Sequence, residues 1–435
     1  MTLGRGLVYR RPMDHHVSRL AVGIVLCLGF EACDVSTTSP DSSTDAATTD
    51  GGDAAPSIGE PAPDDAGAST GSDPSVDATV EAGCPTCGPS VCTDGHCPAP
   101  IPASGLIAVH PTGKFVFAHA VHSESLHVLT VDPDHVLSET AAAPAVELTG
   151  ASGSLVIDPS GRFLYLADAI NHLLYAFSIG PLGTLTPILG SPFTTGNVCN
   201  FAHVDRHGER LYLSCGGSQE MFAWSIEPGS GTLATVAGSP FDVGAVDALI
   251  GNQDFVLGPA GFVYVVDDRQ RFGKKGEPGR LFGFSGAWSS ADVVSGTPTS
   301  TDGFYPRIAL AAPSSDRLYV TNAAGVAGFS IDATTGTLTA IAGSPWAVQN
   351  PIVMVEDAAA SFLLTMSGPS ITVFKVDSAG ALTSAGTSTA AGDAKGIAFD
   401  ASGSFVYALT PSSVDTFSLD RDSGALMPVA SIPLD

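Results

Sequence analysis

The chain has 435 residues, with 18 Lys and Arg against 44 Asp and Glu and a formal net charge of −26. Such an excess repels phosphate backbones, which argues against nucleic acid as a partner and favours a soluble monomer that resists self-association. The length would serve two or three ordinary domains or one large repeat domain.

Residues 1–33 read as an export leader. Arg10, Arg11 and Arg19 precede the apolar run Leu20 to Phe30, which is too short to span a bilayer. Initiation at Met13 would give a leader of more usual length. Cys33 follows Ala32 and opens a polar tail, an arrangement similar to a bacterial lipoprotein site in which a diacylglyceryl cysteine becomes the mature N-terminus. Phe30 and Glu31 depart from that pattern. The expected location is the periplasm or outer surface, with a lipid on Cys33 as membrane anchor and simple secretion as the alternative. Several acyl chains at about 0.8 kcal/mol per buried methylene hold a protein firmly.

Residues 34–83 consist largely of Asp, Ser, Thr, Ala, Gly and Pro, with no aromatic. This composition cannot bury enough apolar area to offset chain entropy and predicts a disordered, self-repelling linker. Gly67-Ala68-Ser69-Thr70-Gly71 matches the hydrolase G-x-S-x-G pattern, but no strand precedes it and no helix follows, so it is a chance match. Residues 84–97 hold Cys84, Cys87, Cys92 and Cys97, with His96 beside the last. Zinc could use such ligands, but behind an export leader two disulfides in a small stapled knob are the expected state.

Residues 98–435 carry the repeat. A unit of about 45 residues recurs, a period that signals a solenoid, propeller or array. Its corners read His110–Gly113, Asp158–Gly161, Asp205–Gly208, Gly258–Gly261, Pro313–Asp316, Asp357–Ala360 and Asp400–Gly403. An apolar strand precedes each corner, and strands such as Phe163-Leu164-Tyr165 and Leu318-Tyr319-Val320 follow at once. Further strands at Leu173–Ile179, Gly325–Ile331 and equivalent places make four per unit, which predicts an all-β, seven-bladed propeller of antiparallel blades. Cys199 and Cys215 flank one hairpin closely enough to bridge. The phrase Gly-Ser-Pro-aromatic recurs at 190–193, 238–241 and 343–346 and is expected to end the outermost strand, where a missing N–H is tolerated.

In such a blade, strands A to D run from hub to rim. The A–B corners lie on one face, so the B–C and D–A connections gather at the opposite mouth of the central channel, the usual place for a ligand. Polar residues expected there are His119, His122 and Glu124 of the first blade, and Asp168, Asn171 and His172 of the second. Arg269, Arg271, Lys274, Lys275 and Arg280 belong to a basic insertion in the fourth. D–A connections add Asp302, Tyr305, Arg307, Asn350, Asp393 and Lys395. Positive charge concentrated on an acidic protein suits a small anionic ligand or the carboxylates of an envelope protein; the alternative is a solvated loop with internal Asp–Arg pairs. No Ser/His/Asp set, H-E-x-x-H motif or phosphate-cradling glycine loop is apparent, and neither metal nor cofactor is expected.

Blade phrases such as Ile157 to Ile179 (IDPSGRFLYLADAINHLLYAFSI) resemble the seven-bladed β-propeller lactonase family, which includes propeller-type 6-phosphogluconolactonase and the carboxymuconate-lactonizing enzyme. Tyr319-Val320-Thr321-Asn322 spells the YVTN repeat of related surface proteins. The resemblance covers about Gly105 to the C-terminus. It implies a mouth built on a Pro-Arg-His entry and the Glu of an Asn-Glu pair. Pro306-Arg307 is present, but Ile308 stands in place of the His, and Ala323, after Asn322, in place of the Glu. Cys199-Asn200-Phe201 lacks the family's histidines, and no Lys or Arg lies between Arg317 and Lys375. Of the family's catalytic set Arg307 alone remains. Lactone opening needs a base and oxyanion-stabilising cations, so the sequence favours an envelope binding module, with a lactone hydrolase of rearranged site as the alternative. Asn322 joins His119, His122, Asp168, His172, Arg269, Arg271, Asn350 and Lys395 as candidate ligand-binding residues.

Overall fold

The computed structural model describes residues 103–148, 153–216, 220–242, 252–268, 276–285, 293–312, 314 and 316–434. Cys33, Cys84, Cys87, Cys92, Cys97, Arg269 and Arg271 lie outside the described residues, as do the leader, the linker and the cysteine-rich segment.

The repeat builds seven antiparallel sheets arranged as a seven-bladed propeller. Strand A of each blade packs against strand A of the next, and that of blade seven against that of blade one, so the ring is closed. Blade one comprises Ile107–Val109, Phe115–Ala120, Ser125–Val131 and Leu137–Glu139, with Val146–Glu147 as a second piece on its rim. Blade two comprises Leu155–Ile157, Phe163–Asp168, Leu173–Ile179 and Leu185–Pro187, with Phe193–Thr194 added in the same way. Blade seven runs Gly396–Phe399, Phe405–Leu409, Ser413–Leu419 and Leu426–Pro433.

Both ends of the repeat region serve blade seven. Leu426–Pro433 forms its rim strand, while Ala103–Gly105 pairs with the hub side of Gly396–Phe399, in register Ala103 to Ala398 and Gly105 to Gly396. The added strand also lies against the innermost strands of blades one, two and six, and so occupies the hub. Gly105 is left-handed (φ 86°), and a Cβ there would stand 2.3 Å from the Lys395 carbonyl oxygen. Only glycine fits this turn into blade one.

Strand B is the most uniformly buried element because both of its faces meet neighbouring blades. Its tyrosines link the ring. Tyr264 donates to the Gly336 carbonyl (2.6 Å) and Tyr319 to the Gly380 carbonyl (2.7 Å), each in the following blade. Tyr407 instead meets His135 Nδ1 of blade one at 3.2 Å, with the His135 ring stacked on Phe405. At the corners an aspartate accepts from the backbone beyond the turn: Asp158 Oδ1 from Phe163 N (2.7 Å), Asp400 Oδ1 from Phe405 N (2.8 Å). Asp254, in strand A of blade four (Asn252–Leu257), ties three blades together. Its carboxylate takes His203 Nε2 of blade three at 2.9 Å and the Ala309 amide of blade five at 2.9 Å.

The Gly-Ser-Pro phrase does not end strand D, contrary to the sequence expectation. It interrupts it, and the strand resumes at Phe193, Phe241 and Trp346, pairing again with strand C. The reason is local: where the strand lifts away, the serine hydroxyl takes over as acceptor. Ser191, Ser239 and Ser344 Oγ each accept, at 2.9 Å, the amide of Ala176, Ala223 and Gly328 respectively. The peptide into each proline is cis, and Thr297-Pro298 repeats that form in blade four. Cys199 and Cys215 oppose one another in the strand A–B register, with Cα atoms 3.9 Å apart, and form a disulfide.

Candidate functional site

The B–C ends of the blades gather at the mouth, and several expected site residues are committed to building it. Asp168 is the last residue of strand B rather than a loop residue, and it is buried. Its Oδ1 accepts the amides of Ile170 (3.1 Å) and Asn171 (3.0 Å), and its Oδ2 accepts Asn171 Nδ2 (2.8 Å). Asn322 does the same in blade five, accepting the Ala324 and Gly325 amides through Oδ1 while Nδ2 donates to the Thr301 carbonyl. These side chains close their own turns. His119 is likewise in strand B and buried, with Nε2 3.4 Å from the Leu148 carbonyl. Burial pushes it below the ordinary histidine range, against the raising effect of that carbonyl.

His122 stands exposed on the blade-one turn, and His172 and Asn350 are half-buried at left-handed turn positions (φ 58° and 48°). Lys395 is half-buried, its backbone shared between Leu106 and Leu409. In blade four, the base of the basic insertion is an ion pair in cross-strand register: Arg280 Nη2 lies 2.6 Å from Oδ2 of the fully buried Asp267.

The connection from blade four to blade five brings polar and aromatic groups together. Thr301 Oγ1 donates to the Gly279 carbonyl, and the Gly279 amide donates to the Gly303 carbonyl. A Cβ on Gly303 would stand 2.3 Å from the Asn322 side chain, so the segment lies directly on that residue. It presents Phe304 and Tyr305, 44% and 48% exposed, and runs on to the half-buried Arg307. The Ala323 amide donates to the Phe304 carbonyl at 2.7 Å, so the position that would carry a carboxylate by family resemblance holds a methyl group at this edge.

From the B–C turn into strands C and D, blade one gathers a set that the sequence did not announce. His127 is buried in strand C, with Nδ1 2.6 Å from Glu139 Oε1 on strand D. Its Nε2 lies 2.9 Å from Ser125 Oγ and 3.1 Å from Ser123 Oγ, and the two hydroxyls are 2.8 Å apart. The signal that could have found it is the strand period of two, which places 125 and 127 on one face. Glu139 escapes that signal, because only pairing of strands C and D brings it alongside. Among the described residues, no group of three or more His, Cys, Asp or Glu is placed to hold a metal ion.

No protein-family model and no curated protein matches the sequence. Solved structures do. The periplasmic gluconolactonase PpgL of Pseudomonas aeruginosa is 16% identical, with a TM-score of 0.53 over 77% of this chain and 98% of that one. The chain shares its propeller fold. A protein of Bacteroides uniformis, provisionally called a 6-phosphogluconolactonase, is also 16% identical (TM-score 0.54; 77% and 97% covered). The likeness extends to Kuenenia stuttgartiensis hydrazine synthase at 14% identity (TM-score 0.53; 78% and 97% covered). Identities this low establish the shared architecture and leave the chemistry to be argued from the side chains.

Proposed function

We propose that this chain is an exported, lactonase-like propeller, anchored at the cell envelope through Cys33, whose channel mouth binds a small anionic ligand without opening a lactone. The observation that supports it is the Phe304–Arg307 segment, which carries two exposed aromatic residues and a half-buried arginine within four positions and is hydrogen-bonded through Phe304 to Ala323. Aromatic faces and a guanidinium hold a ring-bearing carboxylate or phosphate well. They supply no base for water. The Asp168 carboxylate and the Asn322 amide are occupied in their own turns.

The second reading is a lactone hydrolase. Arg307 and the likeness to the Pseudomonas gluconolactonase support it. A pH-stat assay of the full-length protein with δ-lactones separates the two. Under the binding reading Arg307→Ala leaves lactone turnover unchanged, and calorimetric titration with the ring-bearing carboxylate glucuronate gives a heat that Arg307→Ala removes. Turnover well above buffer that falls in Arg307→Ala would establish the lactonase instead. Envelope anchoring is tested by fatty-acid labelling in a bacterial host; Cys33→Ser should lose the label, and an unlabelled wild-type chain rules the anchor out.

A further inference from the structure

The set on blade one has the connectivity of an acyl-transfer triad, and the propeller's own repeat shows that it is a local departure. Strand C of blade one (Ser125–Val131) aligns, by position in the blade, with Leu173–Ile179 of blade two and Glu220–Ile226 of blade three. The place of His127 is taken there by Tyr175 and Phe222, each stacked on the next aromatic of its strand, Phe177 and Trp224. Glu139, on strand D, corresponds to Pro187 and Thr235. Ser125 corresponds to Leu173 and Glu220. An apolar stack that the architecture supplies twice is thus replaced in blade one by hydroxyl, imidazole and carboxylate together.

Pairing fixes their geometry. Glu139 opposes Leu129 across strands C and D, two residues from His127, and so reaches the imidazole diagonally. With Nδ1–H donating to Glu139, Nε2 is the acceptor, facing the two serine hydroxyls. This is the order of roles in a serine nucleophile, its base and the carboxylate that orients the base. Ser125 is buried, whereas Ser123 is part-exposed on the B–C turn, ahead of the left-handed Glu124 (φ 51°). The serine that can meet a substrate is Ser123.

We propose that Ser123, His127 and Glu139 form an esterolytic site on blade one, made of residues other than those of the Phe304–Arg307 segment, that accepts the acyl group of a carboxylic ester. Ser123 Oγ attacks the carbonyl carbon as its proton passes to His127 Nε2. The ester C–O bond breaks, and the leaving alkoxide takes that proton. Water then adds to the acyl-Ser123 carbonyl, giving a proton to Nε2; the acid leaves, and Oγ recovers the proton. Ser123 and His127 are the catalytic residues. Ser125 and Glu139 are positioning residues, acting through the imidazole.

The full-length protein is treated with an alkyl fluorophosphonate, which forms an Oγ–P bond and expels fluoride, and the adduct is located by fragmentation of the peptide spanning residues 115–162. The expected adduct is on Ser123. Ser123→Ala and His127→Gln should lower its rate of formation by more than about 100-fold, with melting curves like that of the parent chain. Glu139→Gln should lower the maximal rate of p-nitrophenyl acetate turnover with KM little changed, and Glu139→Asp should recover part of it. No adduct on the wild-type chain, an adduct on Ser125 or elsewhere, or equal labelling of the Ser123→Ala and His127→Gln chains overturns the assignment. Lactone turnover that falls in Arg307→Ala but persists in Ser123→Ala reports on Arg307, and the fluorophosphonate adduct reports on blade one, so either reading can fail alone.

Discussion

The hub and the rim of this propeller use the same repeat to different ends. At the hub, strands A and B are nearly uniform: buried aliphatic residues, tyrosines reaching into the following blade, and Asp254 spanning three blades. At the rim, strands C and D keep their backbone pairing but change their side chains from blade to blade, from the Phe222–Trp224 stack to Ser125, His127 and Glu139. The contrast has a physical cause. Hub residues are fixed by neighbours on every side, and close packing tolerates little change. Rim residues have solvent on one side, so a polar group there can keep its water or find a partner. A repeat architecture therefore concentrates its conservative chemistry at the centre and leaves its periphery available for specialised sites.

Substitutions at the hub should break the ring, and those at the rim should spare it. Asp254→Ala removes an acceptor shared by three blades and leaves the Ala309 amide buried without one. Chemical denaturation should show a loss of about 3–5 kcal/mol. A result below about 1 kcal/mol would mean that the blades do not depend on this bridge.

Glu356, at the inner strand of blade six, is the second test. Burial pushes its carboxyl up to about 7, opposed by Arg317, whose Nη2 lies 3.6 Å away. In the unfolded chain it ionises near 4.5. The raised value means that stability declines as pH rises between those two values and levels above the upper one. Glu356→Gln should remove that decline. The variant should be more stable than the parent by roughly 2–3 kcal/mol at alkaline pH and nearly equal to it at acidic pH. Melting curves across that window check the sign; a variant less stable at alkaline pH would show that the attraction of Arg317 outweighs burial.

Tyr407→Phe cuts the link from blade seven to blade one at His135. Loss of a single partly buried hydrogen bond should cost about 1 kcal/mol, measurable as a lowered melting temperature. At the rim, Glu139 has a 57% exposed side chain, so Glu139→Gln should change stability by less than about 0.5 kcal/mol while it slows ester turnover. A fall in stability as large as that of Tyr407→Phe would make the blade-one set structural and erase the contrast with the hub.

Much of the ring was legible in sequence because each strand carries its own signal. Phe163-Leu164-Tyr165 follows Asp158-Pro159-Ser160-Gly161, and the same succession returns at Asp400–Tyr407. A corner aspartate that accepts the amide beyond the turn acts within five residues, so a linear reading can see it. The Gly-Ser-Pro phrase was visible too, yet its role was not, since Ser191 acts on Ala176 across a strand pair. At the mouth, Arg307, Asp168 and Asn322 could be named from their places in the repeat. That the last two are absorbed in their own turns emerged from hydrogen bonds alone.

By itself the sequence determined the blade count, the corners and the acidic character of the chain, because periodicity and composition are properties of neighbouring residues. Tertiary structure decided where Ala103–Gly105 inserts, how His135 meets Tyr407, and that Ser123, Ser125, His127 and Glu139 converge. Each of those outcomes depends on which strands lie side by side once the ring closes, and a linear reading carries that distance information only weakly.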